Sequence, residues 1–421
     1  MKARSARITV IVIAVAALAG MPLGADGADA ELPGSSASPF LFSGFGTVGE
    51  VHSSEHNADV TASVFQPNGA GFTRNWSAEV DSLVGAQLSA RMPPELSAVV
   101  QLIAQQNYDG TFRAHVEWAN LKYQFTPDFS VRIGRAELPT FLFSDTRKVG
   151  YTYAWVRPPV ELYNLLPITA SDGAGFSYRL NLGDLGNTTQ SSFVGSDTQD
   201  PDNRGPAVAR DSFNFSNTTE FRFFTFRVSY QHARLTVTSL DGLLDAFKMF
   251  GPQGMAIADK YNSDGKSVTT GVLGASYDPG HWFVISEWAR ARLNSFLGDT
   301  RAWYVSGGYR VRRFTPYATY AHDRGTSNSD PGLMVTGLPP ALAAYGSGLN
   351  AALNSVLESI PDQSTVSIGA RWDFARNFDL KLQADHTRIG ADSYGTLSNI
   401  QPGMRLGGTV NLFTATVDFV F

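Results

Sequence analysis

Along most of this chain apolar and polar residues alternate with a period of two, the repeat of an extended strand whose two faces meet different surroundings. The final segment, Asn411 to Phe421, shows it most plainly. Phe413, Ala415, Val417, Phe419 and Phe421 share one parity, and Thr414, Thr416 and Asp418 the other. The same reading applies from Ala78 to Arg91, with Ala78, Val80, Val84, Ala86, Leu88 and Ala90 set against Glu79, Asp81, Gln87 and Arg91. It recurs over 129–133, 174–181, 303–312, 366–374 and 378–385. A half-buried sheet in a soluble sandwich would share this period. The length of the runs, about 9 to 12 residues, instead matches a tilted strand crossing a bilayer.

The connections reinforce that reading. Arg91-Met92-Pro93-Pro94, Thr126-Pro127-Asp128, Asp278-Pro279-Gly280 and Ala375-Arg376-Asn377 are short turns, whereas 137–171, 196–220, 239–266, 324–364 and 389–407 are long. Short turns on one side and long loops on the other mark an outer-membrane barrel. The pattern therefore predicts an all-β fold: a transmembrane antiparallel β-barrel of about 16 strands, with one loop folded into the lumen. Two loops carry helical spacing instead. Leu342, Tyr345, Leu349, Leu353, Val356 and Ile360 recur every three or four residues, between Pro339-Pro340 and Pro361. Leu240, Leu243, Leu244 and Phe247 form a shorter version. Both are read as helices packed over the barrel mouth, with a plug or gate as the sharper alternative.

The first thirty residues stand apart. Lys2, Arg4 and Arg7 precede an uncharged apolar run from Ile8 to Leu18, and Ala28-Asp29-Ala30 carries small residues where a signal peptidase reads. We expect a cleaved leader at 1–30, with Ala25 as a second cleavage point, and one barrel domain over 31–421. No later stretch reaches the length of apolar sequence that a spanning helix needs. Composition agrees with a barrel in lipid. Charged residues make up 17%, below the ~25% of soluble domains, aromatics 12%, and there are 40 glycines.

Chemistry is mostly excluded. With no cysteine there is no thiol catalysis and no thiolate metal site. Net charge is −5 without basic runs, so nucleic acid is not an expected partner. There is no G-x-S-x-G and no H-E-x-x-H, and Asp264-Gly265-Lys266-Ser267 lacks the first glycine of a phosphate loop, Lys260 standing there. The seven histidines are scattered. Asp197, Asp200 and Asp202 lack the glycine and terminal glutamate of a calcium loop. No cofactor and no metal are expected, and no enzyme activity.

What remains is a lumen of mixed charge. Arg91, Arg113, Lys122, Arg132, Arg179, Arg371 and Lys381 fall on or near the polar parity, interleaved with Glu79, Asp81, Glu117, Asp373, Asp379 and Asp385. Exposing arginine to mid-bilayer lipid costs roughly 2 to 4 kcal/mol, so these charges should point inward. The long loop from Glu137 to Ser171 adds Glu137, Asp145, Arg147, Lys148, Arg157 and Glu161, set among Phe141, Phe143, Tyr151, Tyr153, Trp155 and Tyr163. Pro158-Pro159 stiffens its middle. A rigid, charged, aromatic segment suits a position inside the lumen better than free exposure.

Several short motifs then bring a family into view. Ser43-Gly44-Phe45-Gly46, Val131-Arg132-Ile133-Gly134-Arg135, Trp155-Val156-Arg157-Pro158-Pro159-Val160-Glu161-Leu162-Tyr163 with Asp172-Gly173, and the terminal Val417-Asp418-Phe419-Val420-Phe421 are the residues concerned. Together with the layout of the whole mature chain, they resemble the 16-stranded, trimeric general-diffusion porins of Gram-negative outer membranes. The resemblance implies a homotrimer in outer-membrane lipid, delivered by the barrel-assembly machinery, which would read Phe413, Val417, Phe419 and Phe421. It implies a water-filled channel for passive diffusion of small hydrophilic solutes and ions. The long loop would form the eyelet, with Asp145 and Glu161 facing wall arginines among Arg91, Arg113 and Arg132. Glu137, Arg147, Arg157 and Arg371 complete the eyelet candidates. A substrate-specific uptake channel, an outer-membrane barrel enzyme and a soluble exported sugar-binding β-protein are the alternatives.

Overall fold

Sixteen long strands run through the chain: β1 (Phe40–Ser53), β2 (Leu83–Arg91), β3 (Leu96–Gln105), β4 (His115–Thr126), β5 (Phe129–Glu137), β6 (Ala170–Leu182), β7 (Leu185–Val194), β8 (Ala207–Phe221), β9 (Phe224–Val237), β10 (Lys266–Tyr277), β11 (Trp282–Leu293), β12 (Asp299–Tyr309), β13 (Phe314–Gly325), β14 (Asp362–Ala375), β15 (Phe378–Ile389) and β16 (Gly408–Val420). These come from a computed structural model that describes residues 38–92, 95–194, 207–293, 295–325, 329–358 and 360–421. The expected leader, 1–30, lies outside the described residues, as do Asp197, Asp200 and Asp202.

Each strand pairs antiparallel with its neighbours in sequence, and β1 pairs with both β2 and β16. The sheet therefore closes on itself and leaves no edge, as a spanning sheet must in lipid. At the seam, Gly44 and Phe421 exchange both backbone hydrogen bonds at 2.9 Å. The glycines of the first strand have a steric reason. A Cβ on Gly44 would sit 2.3 Å from the Phe421 ring, and one on Gly46 2.5 Å from that of Phe419. The two rings stack 6.4 Å apart across this bare backbone.

The parity read from the sequence holds in β16. Phe413 faces outward, while Thr414, Thr416 and Asp418 are buried inside. Outward positions elsewhere form an apolar belt that includes Leu121, Ile133, Val228, Leu273 and Ile368. Near the short turns the belt becomes aromatic, with Tyr123–Phe125–Phe129, Phe224–Tyr277–Trp282 and Phe314–Trp372–Phe374–Phe378 in contact. Amphipathic rings favour a membrane–water boundary. Among the described residues no helix is long and apolar enough to cross a membrane.

Two expectations need correction. The strand predicted from Ala78 begins only at Leu83, because Glu79 and Asp81 leave the sheet to pair with Arg74 and Arg157. The long stretch at 196–220 is half strand: β8 starts at Ala207, and a bulge between Arg210 and Phe213, with Asp211 at φ 49°, breaks the alternation that would have revealed it. A further long loop, 54–82, had no signal of its own beyond that false strand start.

The helical loops form a cap. The predicted helix from Pro340 is present as Pro340–Glu358, and the shorter one as Asp241–Lys248. A third, Gly251–Tyr261, was hidden by its Gly-Pro start, which reads as a turn although proline suits a helix's first turn. Leu244, Phe247, Ile257, Tyr261, Leu349, Leu353 and Leu357 join Phe296 and Leu333 in one apolar cluster. Beside it Asp330 takes Lys260 Nζ at 2.7 Å and the Tyr261 hydroxyl at 2.6 Å. Burial would raise the Asp330 carboxyl, but these donors and the Gly332 N–H hold it below the ordinary carboxylate range. A depressed carboxylate contributes stability that is present above its unfolded pKa and lost as pH falls through the folded one. The protection of amides in 251–261 and 340–358, relative to their intrinsic exchange rate, should therefore fall on acidification below about pH 4, and D330N should abolish that dependence.

Candidate functional site

The segment between β5 and β6 turns inward and lies along the barrel wall. Its aromatic residues anchor it. Phe141, Tyr153, Trp155, Leu162 and Tyr163 pack with Val272, Phe283, Tyr304 and Tyr317 of β10 to β13 in a dry cluster inside the lumen. Each such side chain contributes roughly 1.5–3 kcal/mol through burial, which offsets part of the cost of ordering the loop. Polar contacts fix the register. Glu287 of β11, almost fully buried, accepts from the Leu142 N–H at 2.7 Å and from the Tyr163 and Tyr304 hydroxyls at 2.8 Å each. Trp155 Nε1 donates to Ser306 Oγ at 2.7 Å. Arg227 and Ser229 of β9 donate to the carbonyls of Phe141 and Thr140.

The loop's far end is held by charge. Lys381 donates to the Gly150 carbonyl at 2.6 Å and pairs with Asp418 at 3.0 Å. Arg371 reaches the carbonyls of Tyr151 and Tyr153 at 2.6 and 3.1 Å, pairs with Asp373 and Asp379, and lies over the Tyr151 ring. Gly150 fits because a Cβ there would be 2.0 Å from Asp418 Oδ1. Arg157 crosses to the opposite side of the seam. It makes a two-pronged bond with Asp81 at 2.7 and 2.6 Å, reaches Thr414 Oγ1 at 3.1 Å, and lies 3.9 Å from Asp385.

Because the loop fills the side of β9 to β16, open space remains on the other side. A cavity of about 200 Å³ lies between the loop's Arg147, Lys148 and Arg157 and a wall carrying His115, Glu117 and Arg135, with Asp81 of the loop before β2 at its side. Lys148 Nζ spans this gap to Gln105 Oε1 at 2.7 Å. Glu117 takes the Thr169 hydroxyl at 2.5 Å and faces His115 Nε2 at 3.5 Å. Toward the long loops the charged gap meets a wider vestibule of about 490 Å³, the two sharing Phe65, Pro167, Ile168 and Ala207. Among the described residues the vestibule's only charged lining groups are Glu161 and Asp323, set among aliphatic side chains such as Leu165, Leu166, Leu235 and Leu293.

The predicted residues separate into groups. Arg157 and Arg371 seat the loop. Arg147 braces its two arms by donating to the carbonyls of Tyr163 and Leu166, both at 3.0 Å. Asp145 is exposed and makes no ion pair among the described residues. The facing pairs implied by resemblance are not brought together. Glu161 is buried and accepts from Gln363 Nε2 at 2.8 Å and from the Thr365 hydroxyl. Arg113 is drawn to Asp109, four residues back in an exposed loop, at 2.7 Å. Arg132 pairs with Glu137 at 2.6 Å along its own strand, and Arg91 is exposed at the short-turn end of β2. Glu287 and Gln105 had not been singled out, and Arg135 only as the end of a motif. Glu287 alone carried a signal: an acid alternating with Val284, Trp288 and other apolar residues must point inward. Among the described residues no acid and histidine group could hold a metal ion.

A closed sixteen-stranded barrel with an apolar belt and an inward loop is the fold of the outer-membrane porins of Gram-negative bacteria. No protein-family model and no curated protein matches the sequence. Solved structures do. The chain is similar to OmpF of Salmonella typhi, solved with daunomycin, at a TM-score of 0.52 and 13% identity over 91% of this chain and 97% of that one. It is similar to a loop-deleted OmpT, an outer membrane protein of Vibrio cholerae, at 0.51 and 12% over 91% and 100%. An anion-selective porin from Comamonas acidovorans matches at 0.50 and 10% over 91% and 99%.

Proposed function

We propose that this chain is an outer-membrane porin, a homotrimer whose protomers each hold a water-filled path for passive diffusion of small hydrophilic solutes and ions, without catalysis or cofactor. The observation that carries the reading is the charged gap beside the inward loop, where Arg147, Lys148 and Arg157 of the loop and His115, Glu117 and Arg135 of the wall line the space that the loop leaves open. Charges of both signs keep such a path wetted and set a transverse field that sorts solutes by size and charge. The aromatic girdle and the terminal Phe413, Val417, Phe419 and Phe421 support insertion into outer-membrane lipid by the barrel-assembly machinery, and 1–30 would be removed on export.

Lys148 is the most direct probe, since its ammonium bridges the gap. Lys148→Glu should move the reversal potential in a salt gradient toward cation preference, by a several-fold change in permeability ratio. An unchanged potential would remove Lys148 from the path. Asp145→Lys tests the loop's exposed carboxylate in the same way.

A second reading, a substrate-selective uptake channel, is favoured by the vestibule. Its aliphatic lining suits solutes with an apolar portion better than sugars. Liposome swelling with solutes of equal size but different apolar area separates the readings. A general pore treats them alike, whereas a selective one admits the more apolar solute faster.

A further inference from the structure

The lumen face changes character toward the long loops. Along β9 the inward positions run Ser229 and Gln231, then Ala233, Leu235 and Val237, and along β8 Asn214 and Ser212 give way to Ala209. These aliphatic positions, with Leu165 and Leu166 of the inward loop and Leu293 of β11, line the vestibule of about 490 Å³. That volume lies within the roughly 300–1,000 Å³ of sites for small organic ligands. A mouth that only had to stay wet would keep the polar side chains found lower on the same strands. Apolar surface turned toward water is unfavourable, so this lining calls for apolar surface on whatever enters.

Against this lining stand two carboxylates without a counter-ion. Glu161 is 2% exposed and Asp323 1%, and both border the vestibule. Gln363 links them. Its Nε2 donates to Glu161 Oε1 at 2.8 Å, and its backbone N–H donates to Asp323 Oδ1 at 2.9 Å. The Thr365 hydroxyl donates to the same Glu161 oxygen. Among the described residues no other residue donates to Glu161 Oε2 or to Asp323 Oδ2, and neither carboxylate has an ion pair. Arg324, next in sequence to Asp323, lies instead 3.8 Å from Asp362. No lysine, arginine or histidine lines the vestibule among the described residues. A buried carboxylate is costly unless a cation and donors compensate it, and here one oxygen of each is left open.

We propose that the vestibule binds an amphipathic organic cation, a primary or secondary ammonium on an aliphatic or aromatic body, and that this is the solute class the channel selects. The proposal rests on the selective-uptake reading above. The ammonium donates to Glu161 Oε2 and Asp323 Oδ2 in charge-assisted hydrogen bonds and supplies the missing counter-charge. The body lies along Leu165, Leu166, Leu235 and Leu293. The two requirements act together. A bare cation leaves the aliphatic wall wetted, a neutral body leaves the carboxylates uncompensated, and an anion is repelled by them. From the vestibule the solute passes Phe65, Pro167 and Ile168 into the charged gap, where Asp81 and Glu117 are the next carboxylates.

The test is isothermal titration of the full chain, refolded in a non-ionic detergent, with the detergent alone as blank. The probes are hexylammonium, methylammonium, hexanol and hexanoate. The expected result is that hexylammonium binds at least about tenfold tighter than any of the other three, a difference of about 1.4 kcal/mol. Equal binding of methylammonium would reduce the site to one for bare cations, and equal binding of hexanol or hexanoate would leave the carboxylates without a role. Either result overturns the proposal, as does no binding of hexylammonium. The double variant E161Q/D323N should lose the preference over hexanol, and a folded double variant that keeps it would also overturn the proposal. Leu235→Asn should weaken hexylammonium and leave methylammonium unchanged. Because the wild-type series needs no variant, misfolding of either one leaves the test intact. Uptake is read separately, by liposome swelling. A chain that prefers hexylammonium in titration but admits solutes without regard to their apolar area counts against the selective-uptake reading alone. A chain that admits the more apolar solute faster without the ammonium preference counts against this proposal alone.

Discussion

Substituting Arg157 with glutamine is expected to raise single-channel conductance about twofold and shift selectivity toward cations, with larger current noise. Arg157 ties the inward loop to both sides of the seam, through Asp81 and, at longer range, Asp385. Truncating one partner of a buried ion pair typically costs 3–5 kcal/mol, because it leaves the other charge without compensation. Here Asp81 borders the open gap, so the simplest relief is for water to enter and for the Val156–Pro159 segment to lift away. The aromatic cluster on β10 to β13 remains, so the loop shifts locally and does not unfold. Arg157→Lys keeps the charge but loses the two-pronged geometry, and should fall between the two. A conductance identical to wild type in R157Q would show that this tether does not shape the passage.

The second large effect concerns closure. Deleting Phe421, or placing valine at Gly44, should sharply reduce the yield of folded barrel. The two changes strike the same contact from opposite strands. Phe421 supplies both backbone bonds to Gly44 at the short-turn end of the seam, and its ring occupies the volume that a side chain at 44 would need. Unpaired backbone groups in lipid cost several kcal/mol each, so a seam that opens at its end has a strong drive to misassemble. Heat-modifiable migration of membrane fractions measures the folded share. Gly44→Ala should be milder than valine, since the Phe421 ring can tilt away from one methyl group. Normal folding of both the deletion and the valine variant would remove the aromatic seam from the account.

Much of this architecture was legible in the alternation, and for a physical reason. A lipid face and a wet face impose opposite demands on successive residues, so β16 and β15 declare themselves residue by residue. The signal failed where side chains had other obligations. Glu79 and Asp81 kept the strand-like parity while serving ion pairs outside the sheet, and the bulge at Arg210–Phe213 shifted the phase of β8. The site was less legible than the fold. Arg157 and Arg371 were singled out on the loop and the wall, yet nothing in the spacing reveals that their partners are Asp81 and two loop carbonyls. Glu161 looked like a lumen-facing acid, and the side chains of Gln363 and Thr365, some two hundred residues away, hold it against the wall. Long-range pairing of this kind depends on how the loop crosses the barrel, which local periodicity does not encode.

The central claim is that the charged gap beside the inward loop is an open path through the barrel. Planar-bilayer recording of the refolded, detergent-purified chain tests it most directly. The account predicts discrete, ohmic current steps that recur in groups of three, with a reversal potential that moves when Lys148 is replaced by glutamate. A bilayer that stays silent in the presence of correctly folded, heat-modifiable protein would contradict it.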